Sequence, residues 1–188
     1  MKEDYVRWRT PHLSQDFEML VFGHAGHPVI VFPTALGRYY EAKAFGLMES
    51  LAPLVDAGRI LVYCPDSIDA QSWHNRAIHP ADRVRTHVGY ENMLRHDILP
   101  RTRQQTGHAR VAVAGAGFGS YHATNFAFRH PGLVSHLFSL SGTFDIKPFL
   151  DGYYDETCYL NNPPDYLPNL RDESLLGRVR QIHIGLGT

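Results

Sequence analysis

The sequence has little cysteine, no long apolar run and almost no net charge, and each absence excludes a class of protein. The 188 residues include two cysteines, Cys64 and Cys158, which are too few for a disulfide framework. No apolar run approaches the roughly 18 residues of a membrane-spanning helix, and the start, residues 1–5, lacks the apolar core of a signal peptide. The formal net charge of −1 gives no reason to expect nucleic acid or a membrane as a partner. We therefore expect a cytoplasmic protein.

What is present is the composition of an ordinary globular domain, with 44% hydrophobic and 20% charged residues. A chain of this length buries about 70% of the surface that it exposes when unfolded, so residues 1–188 are predicted to form a single domain. The 12 histidines are scattered, and no two of them have metal-ligand spacing together with a third ligand residue. No metal or other cofactor is expected.

Apolar runs and helical patterns alternate along the chain from Pro28 onward. Buried strands are predicted at 28–33, at 60–64, from Val111, at 135–140 and at 182–186, after two short strands at 5–9 and 17–22. Helices are predicted at 39–54, at 81–105, after the glycine turn near 117 and at 172–180. Pro100 should kink or end the second of these helices. Residues 65–80 are expected to form a long polar loop and 149–170 a cap-like excursion. The order predicts an α/β fold with a doubly wound, mostly parallel sheet and an antiparallel N-terminal edge.

The glycine turn between the strand from Val111 and its helix fits two known motifs. Its frame, Gly115-Ala116-Gly117-Phe118-Gly119, keeps both glycines of the nucleophile elbow G-x-S-x-G, with Gly117 at the serine position. The dinucleotide fingerprint G-x-G-x-x-G fits less well, because Ser120 takes the third glycine's place and no acidic residue stands about 20 positions on. The elbow is the favoured interpretation, and nucleotide binding stays as an alternative.

Ligands of such sheets bind outside the carboxyl ends of the parallel strands. The loops after Phe32, Cys64, the glycine turn and Leu140 open onto that edge. We expect the site to be lined by residues of these loops: Thr34, Ala35, Leu36, Arg38, Asp66, Trp73, Gly117, Phe118, Ser141 and Asp145.

Several segments taken together resemble the esterase branch of the α/β-hydrolase superfamily over nearly the whole chain. They are 21–28, 31–34, 66–75, 119–123, 126–131 and 149–154. In that family a serine at the elbow attacks an ester carbonyl, and an acid and a histidine later in the chain activate it. The resemblance implies an oxyanion hole here, with the backbone N–H of Phe118 and one N–H from the Thr34-Ala35-Leu36 loop as its donors.

The sequence departs from this family pattern in two places. The elbow serine is Gly117, and the acid and histidine would follow residues 182–186 and one further strand, whereas the sequence ends at Thr188. We expect a truncated chain without the last strands, an incomplete Ser-Asp-His set, and little or no hydrolysis of a small-molecule ester or acyl substrate. A non-catalytic ligand-binding or assembly module is the alternative. An uncovered edge at the last strand would favour a homo-oligomer.

Several other residues have side chains that could react or hold the site together. Ser120 and Ser141 are alternative nucleophiles, Cys64 is expected to be a buried packing residue, and His74 and His79 are the histidines within reach of the site. His122 is expected to be structural, Asp66 and Asp69 to fix the long loop, and His24 and His27 to be solvated.

Overall fold

A computed structural model describes all 188 residues and contains one seven-stranded sheet. The strands lie in the order β1-β2-β4-β3-β5-β6-β7. Their bounds are β1 Glu3–Thr10, β2 Gln15–Phe22, β3 His27–Phe32, β4 Ile60–Pro65, β5 Val111–Ala116, β6 Val134–Leu140 and β7 His183–Gly187. The pairs β1-β2 and β2-β4 are antiparallel. The pairs β4-β3, β3-β5, β5-β6 and β6-β7 are parallel. The predicted mostly parallel sheet with an antiparallel N-terminal edge is confirmed.

The α-helices are α1 Glu41–Ala44, α2 Leu47–Asp56, α3 Pro80–Met93, α4 Leu99–Thr106, α5 Phe118–Arg129, α6 Glu156–Leu160, α7 Pro163–Tyr166 and α8 Glu173–Val179. The single helix predicted at 39–54 is two helices, because Gly46 adopts a φ of 76° between them. None of the helices is both long and apolar enough to cross a membrane.

The helical run from α3 to α4 accommodates Pro100 without ending. A π-helical turn, Leu94–Ile98, joins the two helices, and Pro100 lies in the first turn of α4. A proline lacks an N–H donor and its ring collides with the carbonyl four residues earlier. The wider turn changes the hydrogen-bond register just before the proline, so the expected helix end is replaced by a local bulge.

The sheet is covered unequally on its two faces. One face packs against the helical run of α3 and against α5, which bury a cluster of 20 residues that includes Ile30, Val113 and Phe126. The other face is covered by α2 over a cluster of seven residues. Beyond α2 this face is open, since Phe138 and Leu140 on β6 are 43% and 49% exposed. An apolar cavity of about 600 Å³ lies here, and not over Gly117.

Residues 66–79, between β4 and α3, form no strand or helix, as the predicted long polar loop requires, but several of their side chains are buried. Asp69, Ser72 and Trp73 are fully buried. Trp73 packs in a cluster with Phe118 and Tyr121, which places this segment against the start of α5. Asp69 anchors the segment internally, because its carboxylate accepts from the Leu36 N–H and lies 2.8 Å from His122 Nε2.

Both cysteines should resist thiol reagents in the folded chain. Burial raises the pKa of Cys64 to about 12 and that of Cys158 to about 11, so their thiolate forms are scarce at pH 8. Ellman's reagent at pH 8 should therefore react with neither thiol before unfolding and with both in guanidinium chloride. Fast reaction of one native thiol would show that its surroundings are open to solvent.

Candidate ligand site at the glycine turn

Gly117 is the single residue that joins β5 to α5. Its φ of 55° and ψ of −117° belong to a region that strains any residue with a side chain. The turn is held on both sides, because the Gly117 N–H donates to the Leu140 carbonyl at 3.0 Å and the Gly117 carbonyl accepts from the Ser120 N–H at 3.2 Å. Gly117 therefore makes a sharp strand-to-helix turn in a conformation that glycine adopts freely.

The two outer glycines are required by close backbone contacts. A Cβ on Gly115 would lie 2.2 Å from the carbonyl carbon of Gly119, and a Cβ on Gly119 would lie 2.5 Å from the Pro33 carbonyl oxygen. A Cβ on Gly117 would meet no atom within 4 Å. The turn therefore excludes side chains at its two flanks and leaves open space at the central position.

Two N–H groups of the segments that meet at the turn donate to no group of the protein. One is that of Phe118, the first residue of α5, and the other is that of Ala35. The neighbouring donors are engaged, since the Thr34 N–H donates to Glu41 Oε1 at 2.9 Å and the Leu36 N–H to Asp69 Oδ2 at 3.2 Å. Of Thr34, Ala35 and Leu36, only Ala35 has an N–H that donates to no group of the protein.

The loop after β3 is fixed to α5 by a buried carboxylate. Asp69 is 0% exposed, and its Oδ1 lies 2.8 Å from Nε2 of His122, while its Oδ2 accepts from the Leu36 N–H. Leu36 has a φ of 59°, which a residue with a side chain rarely adopts. Asp69 therefore holds a strained loop at a set position relative to the glycine turn. Asp69 was expected to fix its loop; its pairing with His122, 53 positions away, carries no local sequence signal.

The alternative serine nucleophiles are not paired with a base. The Ser120 hydroxyl is fully buried, donates to the Gly115 and Leu140 carbonyls at 2.7 and 2.9 Å, and accepts from the Leu140 N–H. Ser120 therefore ties α5 to the ends of β5 and β6. Ser141 is exposed with a φ of 47°, and its N–H donates to the Gly187 carbonyl.

Several residues predicted to contact a ligand are instead bonded to other groups of the protein or buried. Arg38 Nε donates to both carboxylate oxygens of Asp66 at 2.8 Å. Burial raises the pKa of Asp66, and the Arg38 guanidinium opposes that shift. Asp145 accepts from the Lys147 N–H and from the Asn162 amide. Trp73 is buried completely and packs against Phe118, so its side chain has no exposed surface for a ligand.

The histidines divide into one near the site and others with different partners. The His74 ring lies edge-on to Phe118, with ring centres 5.2 Å apart, and burial lowers the pKa of His74. His79 instead caps α3, since its Nδ1 accepts from the Ala81 N–H. His27 is not solvated as expected, because it is half-buried and bonded to Ser135 Oγ at 2.8 Å.

Comparisons with known proteins give a fold relationship. No protein-family model and no curated protein sequence matches the chain. A ferulic acid esterase superposes with a TM-score of 0.70 at 14% identity, covering 99% of this chain and 90% of its own. An S-formylglutathione hydrolase from Agrobacterium tumefaciens superposes with a TM-score of 0.67 at 13% identity, covering 98% and 85%. The S-formylglutathione hydrolase FrmB from Staphylococcus aureus gives 0.59 at 11% identity, covering 99% and 90%. The chain thus has the α/β-hydrolase-type fold of these esterases.

The close contacts at the turn predict a large difference between two alanine substitutions. Gly119→Ala places a Cβ against the Pro33 carbonyl and should destabilise the protein by about 1–3 kcal/mol or more, as overpacking does. Gly177→Ala, in α8 with no atom within 4 Å, should be neutral or stabilising by up to about 1 kcal/mol. Urea unfolding followed by circular dichroism measures both. Equal stabilities would contradict the close packing at Gly119.

Proposed function

We propose that this chain binds an ester or acyl compound at the glycine turn and hydrolyses it poorly or not at all. The observation that carries the proposal is Gly117, which has the backbone of a nucleophile elbow, open space in front of it and no side chain. The esterase-type fold of the chain supports the choice of ligand class. The absent hydroxyl supports the lack of turnover.

The binding half of the proposal depends on backbone donors. The N–H groups of Phe118 and Ala35 donate to no group of the protein, and the Phe118 N–H is at the positive end of the α5 dipole. Such donors stabilise a carbonyl oxygen that carries negative charge. Because they are backbone groups, the change of serine to glycine leaves them in place.

The proposed lack of hydrolysis follows from how much rate a missing nucleophile costs. Loss of the nucleophile in a triad enzyme lowers the rate by about 10⁶-fold, which is roughly 8 kcal/mol of transition-state stabilisation. A residual acceleration of about 10³–10⁴-fold over water survives from the oxyanion hole and binding. Ser120 does not replace the missing group, because its hydroxyl is buried and bonded to backbone.

Hydrolysis of p-nitrophenyl acetate tests the lack of turnover. The native chain and Gly117→Ala should both be at least about 10⁴-fold slower than a working esterase, whose kcat is about 10 s⁻¹. Long exposure to a fluorophosphonate should leave the native chain and the alanine control unlabelled, because neither has a hydroxyl at residue 117. Turnover by the native chain at ordinary enzyme rates would refute the proposal.

Amide chemical shifts test the binding site directly. Phenylphosphonate is an anion with a tetrahedral centre, so it should shift the ¹H–¹⁵N signals of Ala35 and Phe118 more than those of other residues. Benzyl alcohol, which has the ring without the anion, serves as the control ligand and should leave these two signals in place. Shifts that cluster elsewhere would contradict the assignment of the two donors.

We further propose that the chain self-associates through β7. This strand pairs only with β6, so its other edge carries unpaired backbone groups. Leu186 on β7 is 78% exposed, and Ile184 is 47% exposed. An apolar edge strand of this kind is a template for pairing with a second copy.

Sedimentation velocity over a hundredfold range of concentration measures this association. The native chain should shift from monomer toward dimer as its concentration rises. Leu186→Lys should remain monomeric, because a lysine on an edge strand disfavours pairing, and Leu160→Lys, at a residue 45% exposed on α6, serves as the matched control. A native chain that stays monomeric over the whole concentration range would contradict the proposal.

A further inference from the structure

Four histidines lie together at the end of the sheet where the parallel strands begin. They are His27 on β3, His108 before β5, His136 on β6 and His183 on β7. The ring centres are 4.7 Å apart for His27 and His108, 5.7 Å for His27 and His136, and 4.9 Å for His136 and His183. No three of them are placed to hold one metal ion. The four rings form a continuous histidine row.

Two members of the histidine row face each other across the last strand pair. His136 and His183 are partners in the parallel register of β6 and β7, and their rings stack with an angle of 23° between the ring planes. His136 is half-buried, whereas His183 is exposed. If both rings were protonated, two positive charges would lie about one ring stack apart and would repel each other.

The permanent charges beside the row are positive as well. The Arg110 guanidinium donates to the Val134 carbonyl at 2.9 Å and to the Gln181 carbonyl at 3.4 Å, just before β6 and β7 continue. Arg59 precedes β4, and its backbone carbonyl accepts from the His27 N–H at 2.9 Å. Neither arginine offsets a charge on the histidines.

The acidic residues of the neighbouring elements lie elsewhere. Asp56, at the end of α2, pairs with the N-terminal amino group at 3.2 Å, and Glu49 is in the first turn of that helix. Asp172 and Glu173 are at the start of α8, the end that points away from β7 in the chain, and α4 has no acidic residue. The histidines that pair with carboxylates are all outside the row: His12, His122 and His130.

The surroundings of two members of the row favour their neutral form. Burial lowers the pKa of His27, and the rings of His108 and His136 lower it further. Burial also lowers the pKa of His136, with His183 and Arg110 acting in the same direction. A histidine with a lowered pKa in the folded chain is protonated first in the unfolded chain. Its contribution to stability is present above about pH 6.5 and is lost as the pH falls below that value.

β7 is the strand that a small repulsion can affect most. It has five residues, none of them buried, and it pairs with β6 alone. Outside this ladder, the Ser141 N–H donates to the Gly187 carbonyl at 2.9 Å at one end, and the Arg110 contact with Gln181 lies before the other.

We propose that the contact between His136 and His183 makes the pairing of β7 with β6 sensitive to acid. Neutral rings stack across the two strands. Protonation places two like charges there beside Arg110, with no carboxylate to offset them, so the paired strand is disfavoured. Exposed charge pairs change an equilibrium by about 1.5- to 5-fold. The inference does not depend on the proposed function, since it concerns only the charge of the rings and the pairing of two strands.

NMR titration of the histidine rings between pH 8 and pH 5 measures the coupling. His183→Gln removes the neighbouring charge and should raise the titration midpoint of His136 by about 0.2–0.7 pH unit. His183→Lys fixes a positive charge at the same place and should lower that midpoint. A merely structural effect would not give shifts of opposite sign. His74, in ring contact with Phe118, is the internal control and should keep its midpoint. A His136 midpoint that is the same in all three chains would overturn the proposal.

Amide hydrogen exchange, corrected for the intrinsic rate at each pH, measures the strand pairing itself. Between pH 7.5 and pH 5.5 the protection of the hydrogen-bonded amides of β7 should fall by about 1.5- to 5-fold in the native chain. The double variant His136→Gln, His183→Gln should lack this loss. Amides of the central strand β4 report unfolding of the whole chain and correct for its own pH dependence. An equal loss in both chains would refute the proposal; if the double variant does not fold, the signs of the two titration shifts decide.

Discussion

The close approach of three backbone segments at the glycine turn is the constraint on which the rest of the site depends. Gly115 and Gly119 let the end of β5, the start of α5 and the strand end at Pro33 come together with no space for a Cβ. This contact puts the loop of Ala35 beside the first turn of α5. Both N–H groups proposed as donors owe their positions to it, whatever side chain stands at position 117.

A second layer of support comes from buried charge. Asp69 binds the Leu36 N–H and His122 at once, so the strained loop and α5 are held by one carboxylate. Removing one partner of such a pair leaves an uncompensated charge in the interior, which costs far more than the pair itself contributes. The glycine contacts and the carboxylate thus act on the same two segments through different forces, namely steric fit and hydrogen bonding.

The sheet was predictable because its signals are local. Continuous apolar runs such as 60–64 and the glycine frame at 115–119 indicate their structure within a few residues, and the mostly parallel pairing follows from the alternation of strand and helix. The division of 39–54 at Gly46 and the π-helical turn before Pro100 were not predictable, because they depend on local strain. The pairing of Asp69 with His122 depends on a contact between distant positions, which no spacing rule reveals. The sequence also predicts Leu36 as a possible donor, because nothing in the loop indicates that its N–H donates to Asp69.

The half-covered face of the sheet has a thermal consequence. Unfolding raises the heat capacity in proportion to the apolar surface that becomes newly exposed. Phe138 and Leu140 already meet water in the folded chain, and they contribute less to that increase than they would beneath a helix. A helix over these two side chains would therefore make the free energy of unfolding depend slightly more strongly on temperature than it does in this chain.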